Sequence, residues 1–519
     1  MMTSETQPRR ARFLQPFFFA GAGCLLLSLM VAAGVLHRLS PYLRDQAVLI
    51  LHDQFHADVQ IDDLRLAVFP RIRAYGSGLT FRQPGRPDVP PLIEIKEFAA
   101  EGGFFGLLRR PLRLSLVEIK GLSIHIPPKE GSNPRFQPLR KHPLPLIIDE
   151  ILADDSQLVI MPKDAAKSPH VFAIHRLVMH SLGPTSPAPF QADVTNAIPP
   201  GEIDAKGSFG PWNGDDPGET ALAANFTFDR ADLGAIKGIR GTLSSRGKFG
   251  GALNRIEVQG ETDTPDFALR IGGSPVPLHT DYVATVDGTN GNTILHSVRA
   301  SFLHSVVDAR GEIAKPLGAA HRVVSLKATV HDGRIEDMLH LAIKSDQPVM
   351  TGDLNLHTTI ELPLGEGDAI DHLMLNGAFG VEGTKFTSPN VSGKIQSLSR
   401  RGLGKPGDQD AGSSVSDLQG NFLLENGTIN FQQLGFEVPG AAVRLHGNYG
   451  LQNQELDFQG TLQLHAKISQ MVTGMKSVLL MPFDGLFRKN HETVIPIKIS
   501  GPRDKPKVGL DLHLSKGQG

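Results

Sequence analysis

VIPIKISGPRDKPKVGLDLHL, residues 494–514, places two alternating runs on either side of a turn-forming stretch. In the first run Ile495, Ile497 and Ile499 alternate with Pro496, Lys498 and Ser500. In the second, Leu510, Leu512 and Leu514 alternate with Asp511 and His513. A period of two puts one face of a strand in an apolar environment and the other in water. Glycine and proline punctuate the middle, so SGPRDKP is expected to reverse the chain and the two runs to form a terminal hairpin.

The same pattern recurs upstream. ADVQIDDLRLAV alternates at Val59 and Ile61, then at Leu64, Leu66 and Val68. PLIEIKEFAA repeats it with Ile93 and Ile95, and LRLSLVEIKGLSIHI with Leu112, Leu114, Leu116, Leu122, Ile124 and Ile126. Buried parallel strands read as unbroken apolar runs, so alternation of this kind predicts antiparallel pairing. From residue 201 a further phrase recurs: glycine, one residue, then an apolar or aromatic one, as in Gly247-Lys-Phe249, Gly377-Ala-Phe379 and Gly420-Asn-Phe422. Glycine there is expected to permit a bend or bulge. The spacing is irregular, which excludes a propeller or heptad array. The fold class expected is mainly β: an N-terminal transmembrane helix, then an elongated, antiparallel, twisted sheet forming a half-pipe groove, with a few short helices. About 30–35 strands at about 4.8 Å each would reach on the order of 150 Å. That length predicts one copy working with a partner, shuttling, or serving a local role.

Two stretches read as helical. RIEDMLHLAIKS carries Ile335, Met338, Leu339 and Ala342 at helical spacing. ISQMVTGMKSVLLMPFDGLF sets Met471, Met475, Val478 and Leu479 on one face. The plain reading of the second is a short helix covering a sheet end; the sharper one is a pliable methionine face for varied apolar ligands.

Residues 13–36, FLQPFFFAGAGCLLLSLMVAAGVL, hold no charge and follow Arg9, Arg10 and Arg12. A spanning helix needs about 20 apolar residues and a signal-peptide core about 7–15, so the length favours an uncleaved anchor. The preceding arginines favour a cytoplasmic N-terminus. The divisions expected are a tail at 1–12, the span at 13–36, a first β region at 40–130, a Pro-rich linker with connecting strands at 131–200, and a second β region at 201–519. NAIPPGEIDAKGSFGPWNGDDPGE, which holds the one tryptophan, Trp212, and residues 402–414 read as loops.

Composition narrows the function. Lys and Arg total 52 against 54 Asp and Glu, a net charge of -2, which gives no drive toward nucleic acid. The single cysteine, Cys24, lies inside the apolar run, so the rest of the chain has no disulfide or thiolate metal site. The 20 histidines include His125, His296, His304, His357, His446, His465 and His513. They scatter along strands, form no HExxH motif, and read as solvated side chains rather than ligands. No serine sits in a GxSxG elbow. Asp154-Asp155 and Asp215-Asp216 read as turn residues before they read as catalytic acids. GGFFG at 102–106 lacks the strand-to-helix setting that phosphate binding needs. The expectation is a protein that is not an enzyme and takes no cofactor or metal.

The order of these features is similar to that of the AsmA family of bacterial envelope proteins, which are related to bridge-like lipid transfer proteins. The resemblance rests on the N-terminal anchor, ADVQIDDLRLAVFPRIRAYGSGLTFR, IEIKEFAAE, LLRRPLRLSLVEIKGLSIHIP and, at the far end, TVIPIKISGPRDKPKVGLDL. It covers roughly residues 1–130 and 415–514. It implies a single-pass inner-membrane anchor with the bulk of the chain in the periplasm, and an apolar β groove that handles phospholipid and supports outer-membrane assembly. It implies acyl chains, the inner membrane and other envelope proteins as partners, with no nucleic acid. The candidate lipid-contacting residues are the apolar members of the clearest strands: Leu462, Leu464, Ala466, Ile468, Ile495, Ile497, Ile499, Leu510, Leu512 and Leu514. From the residues alone, such rows serve equally an open groove or the filled core of a sandwich. The alternative function is a structural scaffold for outer-membrane protein biogenesis that carries no lipid.

Overall fold

A computed structural model describes residues 42, 44–49, 51–52, 57–68, 71–82, 90–103, 112–126, 146–160, 170–183, 185–211, 217–236, 238–270, 272–288, 291–316, 322–343, 347–364, 369–472, 488–489, 492–503 and 505–510. The span expected at 13–36 lies outside these residues. Among the described residues no helix is long and apolar enough to cross a membrane. The protein is mainly β, with antiparallel strands and few helices. The chain divides into two compact units: Met1–Ala197 with Asp204–Thr220, and Ile198–Ile203 with Ala221–Gly519.

In the first unit Ile72–Arg82 pairs antiparallel with Ile93–Gly102, which pairs antiparallel with Leu116–Ile126. The next pairing departs from the antiparallel expectation. Leu116–Ile126 and Leu146–Ile160 run parallel, matching Val117 with Ile151 and Ile124 with Leu158. Parallel neighbours need a long crossover connection. The Pro-rich stretch 127–145 that joins them in sequence lies outside the described residues, and the strands on either side of it are ladder partners. Antiparallel order resumes with His170–Leu182. Gly78, Gly121 and Asp155 take φ of 65°, 67° and 48°, marking irregularities in three strands of this unit.

The second unit is a meander. From Ala221–Asp232 to Lys507–Leu510 each long strand pairs antiparallel with the next one in sequence. The terminal hairpin forms as expected, with Ile497 opposite Leu510 and Ile499 opposite Val508. The segment read as a loop around residues 196–219 instead supplies the strand Pro200–Phe209. Pro199 and Pro200 precede, and Pro211 and Pro217 follow, the alternation of Glu202, Ile203, Asp204, Ala205 and Lys206, and that alternation prevails.

Helices sit where strands end. Ile335–Ala342 forms as its apolar stripe predicts, with Glu336 and Asp337 in the first turn, where the helix dipole favours negative charge. A second helix, Pro389–Gly402, has Pro389 at its start and Arg400 and Arg401 in its last turn. It turns Ile395 into a cluster with Val438, Ala441 and Leu464, against which Phe386, Leu398, Phe436, Leu462, Met471 and Ile495 pack. Gly402 lies so close to the turn after Val438 that a Cβ would stand 2.2 Å from the Gly440 carbonyl oxygen. Ser399 Oγ donates to the Pro439 carbonyl at 2.7 Å, fixing the helix to the same turn. The expected methionine helix is described only at its start, where Ile468–Met471 is a 3₁₀ turn.

Buried Ala231, Ala268, Val276, Phe302, Val330, Leu354 and Val381 lie toward the same strand ends. Much of the core of the second unit is therefore a rim along one side of the sheet, with Leu424 and Phe458 buried elsewhere on the face. Asp337 is 3 % exposed. Its Oδ2 accepts from Ser305 Oγ at 2.7 Å and the His304 backbone N–H at 2.9 Å, which ties the helix Ile335–Ala342 to the hairpin tip at residues 302–305.

Candidate functional site

Antiparallel register places directly opposed residues on one face, so the ladder can be followed residue by residue across the second unit. Ala224, Phe249, Val258, Ala284 and Leu295 oppose one another in turn. The row continues through Gly311, Leu326, Ile360, Leu375 and Leu424. It ends with Ile429, Tyr449, Leu456 and Gly501. No polar side chain other than the Tyr449 hydroxyl interrupts it.

A second row, one rung nearer the rim, runs from Phe226 through Gly247, Gly260, Tyr282, Val298 and Ala309. It continues from Ala328 through Thr358 and Gly377 to Phe422 and Phe431. Here the recurrent glycine phrase finds two roles: Gly352 and Gly447 take φ of 159° and 152° beside register shifts, the bulge that the sequence suggests, whereas others make room for rings. Gly377 and Gly420 are mid-strand, and a neighbouring ring occupies the space each lacks. A Cβ on Gly377 would meet Phe422 Cζ at 3.0 Å, and one on Gly420 would meet Phe379 Cε1 at 2.9 Å. The rings lie over bare backbone, and the rows stay level.

Away from the rim this face is only half-covered. Val258, Leu295, Leu326, Ile360 and Leu375 are all partly exposed, whereas the smaller Ala284 and Ala328 and, near its strand's end, Leu424 are shielded between their neighbours. Residues of this size inside a sandwich would be fully buried.

The opposite face is charged. Arg246 pairs with Glu261, Arg334 with Asp353 and Arg444 with Glu437, while Arg299 Nη1 lies 3.5 Å from Asp308 and Lys498 Nζ 3.5 Å from Asp457. His279 Nδ1 bonds Asp263 Oδ1 at 2.7 Å. This bond raises the His279 pKa above its ordinary value, with the nearby charges of Asp263, Asp281 and Glu261 adding to it and slight desolvation opposing it.

The ten candidate contact residues divide into five groups. Ile497 and Ile499 continue the apolar face and are partly exposed. Leu464 and Ala466 are buried in the rim, and Leu462 and its ladder partner Ile495 pack against it, so these four hold the fold together. Ile468 is in the 3₁₀ turn rather than on a strand. Leu510 stands 62 % exposed on the edge strand, and Leu512 and Leu514 lie outside the described residues. Among the described residues, the acids and histidines singled out from the sequence do not converge on one another. Asp154 sits in the ladder opposite Lys120 and Arg176, while Asp215-Asp216 and Phe104–Gly106 lie outside the described residues. His296 Nε2 is 2.8 Å from Thr285 Oγ1, His304 Nδ1 is 3.6 Å from Asp337, and His465 Nε2 is 3.7 Å from Glu492. His357 packs edge-on against His331. Glu261, His279 and Asp281 are near enough to share an ion, a grouping the sequence conceals because it spans two strands.

No family profile, no curated protein and no solved structure matches the chain.

Proposed function

We propose that the apolar face of the second unit holds phospholipid acyl chains while their headgroups remain in water. On this reading the protein is a membrane-anchored, non-enzymatic lipid carrier of a bacterial envelope. It is tethered by residues 13–36, has its bulk in the periplasm, and supports outer-membrane assembly. The observation that carries the reading is the row from Ala224 to Gly501, apolar from strand to strand and only half-covered at its large residues other than Leu424. Covering such a face with hydrocarbon gains about 0.8 kcal/mol per buried CH₂. Leaving the headgroup outside avoids the desolvation penalty of a charge. A scaffold without lipid has no need of a bare row of this length, since exposed apolar surface is an aggregation liability.

The test is lipid extraction and mass spectrometry on the full chain purified in detergent, beside a Leu326→Asp/Ile360→Asp variant. These two residues oppose one another in the open part of the row. Phospholipid should accompany the wild type and fall several-fold in the variant, with circular dichroism unchanged. A well-folded wild type that carries no lipid sinks the reading and favours the scaffold.

A further inference from the structure

On the polar face of the second unit, four pairs of like charges stand directly opposite one another: Glu261 with Asp281, Asp353 with Glu382, Asp417 with Glu437, and Arg310 with Lys327. Such pairs destabilise an antiparallel ladder. Each acidic pair has a cation on it. Arg246 binds Glu261, Arg334 binds Asp353, and Arg444 binds Glu437. The basic pair has none: among the described residues no carboxylate forms an ion pair with Arg310 or Lys327. The nearest candidates are committed or offset. Asp308 is held by Arg299 at 3.5 Å. Glu312 and Glu361 stand on the next rung, on either side of Ser325.

The two cations face a hollow of about 670 Å³ that His296, Thr329, Thr359 and Asn376 also line. Asp308 lines it as well, with its charge met by Arg299 at 3.5 Å, so the lining offers the two positive charges of Arg310 and Lys327 beside neutral hydroxyl, amide and imidazole groups. That is the complement of a compact oxyanion, which takes charge-assisted hydrogen bonds from Arg and Lys and weaker ones from its neutral neighbours. The flanking Glu312 and Glu361 disfavour an extended polyanion, whose outlying charges would meet them.

We propose that Arg310 and Lys327 form a binding site for a phosphate-class oxyanion. The site lies on the face opposite the apolar row, so a lipid whose acyl chains rest on that row cannot place its headgroup here. The phosphate comes either free from solution or from the headgroup of a separate membrane surface.

Two arms distinguish these sources, both on the full chain in nonionic detergent or reconstituted from it. In the first, thermal unfolding is followed in inorganic phosphate and in chloride at matched ionic strength. In the second, the chain is anchored in phosphatidylcholine proteoliposomes, and the co-flotation of separately labelled vesicles is compared between phosphatidylcholine vesicles and vesicles containing phosphatidic acid. Each is run on wild type, Arg310→Gln/Lys327→Gln, and Lys327→Glu. A phosphate-specific rise of a few degrees in Tm, absent from both variants, establishes free phosphate as the ligand. Preferential co-flotation of the phosphatidic acid vesicles, lost in both variants and unaccompanied by a phosphate shift, assigns the headgroup. Lys327→Glu supplies the missing carboxylate, so its Tm in chloride should exceed that of wild type, which shows that a lost response is not lost folding. Equal responses of wild type and variants in both arms overturn the proposal, as does a Lys327→Glu protein that still gains stability from phosphate. None of these outcomes depends on whether the apolar row carries lipid.

Discussion

The rim of the second unit and the middle of its apolar face are built from the same alternating strands, yet they differ in what covers them. At the rim, the helices Ile335–Ala342 and Pro389–Gly402 lie against the strand ends, and Leu464, Val330 and Val381 are 3 %, 1 % and 1 % exposed. A few residues along those strands, Leu326 and Ile360 have only their lateral neighbours. The same residue type is therefore structural in one place and available in the other. Stability should concentrate at the rim and ligand capacity in the middle.

Truncation separates the two regions most sharply. Leu464→Ala removes a side chain from the cluster beneath Pro389–Gly402 and should cost about 2–5 kcal/mol by chemical denaturation. Leu326→Ala gives up a side chain still partly in water and should cost under about 1.5 kcal/mol. Equal costs would mean that the middle is covered in solution and would undo the contrast. Next in size is Asp337→Ala. It leaves Ser305 Oγ and the His304 N–H without their acceptor inside the rim, for a loss of about 1–3 kcal/mol. Accelerated hydrogen exchange confined to residues 302–305 and 335–342 would locate that loss at the rim; uniform acceleration would show the helix is not a local clasp.

The middle of the face was easier to read in the sequence than the rim. Period-two alternation depends only on a strand's own residues, so Ile495, Ile497 and Ile499 fall on the face the pattern assigns to them. The rim depends on contacts between distant segments. Leu464 looks like another member of the row, and only the approach of Ile395 from the helix Pro389–Gly402 makes it core. That helix holds too few apolar residues for its stripe to stand out, although Pro389 at its start and Arg400-Arg401 at its end are boundary signals. The parallel pairing of Leu116–Ile126 with Leu146–Ile160 was hidden for a related reason. The alternation of a strand is the same whichever direction its neighbour runs, and only the length of the 127–145 connection hints at a crossover. The pair Arg310 and Lys327 becomes visible only once register is known.

Glycines sharpen the contrast within single strands. Gly377→Ala would place a Cβ 2.4 Å from the His357 carbonyl oxygen and 3.0 Å from the Phe422 ring. Gly380, three residues on, has nothing within 4 Å of the same added atom. Gly377→Ala should lower stability by about 1–2 kcal/mol, through the clash with the His357 carbonyl on the neighbouring strand and displacement of the ring. Gly380→Ala should leave stability unchanged or raise it by about 0.5 kcal/mol, since alanine restricts the unfolded chain. A reversed order in denaturant midpoints would show that Gly377 is not closely covered by its neighbouring strand and ring.

The smallest effect is expected on the polar face, at His279. Its Nδ1–Asp263 hydrogen bond favours the protonated ring, and the folded-state pKa is raised. The groups that face it are Asp263 and Asp281, with Glu261 beside them; Arg246 is engaged with Glu261, and Arg299 stands opposite Asp281. A raised pKa means that the folded state holds the proton more tightly than the unfolded chain. The stabilisation is therefore fully present below the unfolded value of about 6.5 and disappears as pH rises through the folded value. Because the ring is 42 % exposed, solvent screens much of it. The measurement is the Tm difference between wild type and His279→Gln, taken from pH 5.5 to 8.5. Wild type should be the more stable at the acid end, with the gap closing toward the alkaline end and shrinking in high salt. A gap that widens with pH would mean that the neutral ring is the favoured form, and that the carboxylates around it are balanced by Arg246 and Arg299 rather than by His279.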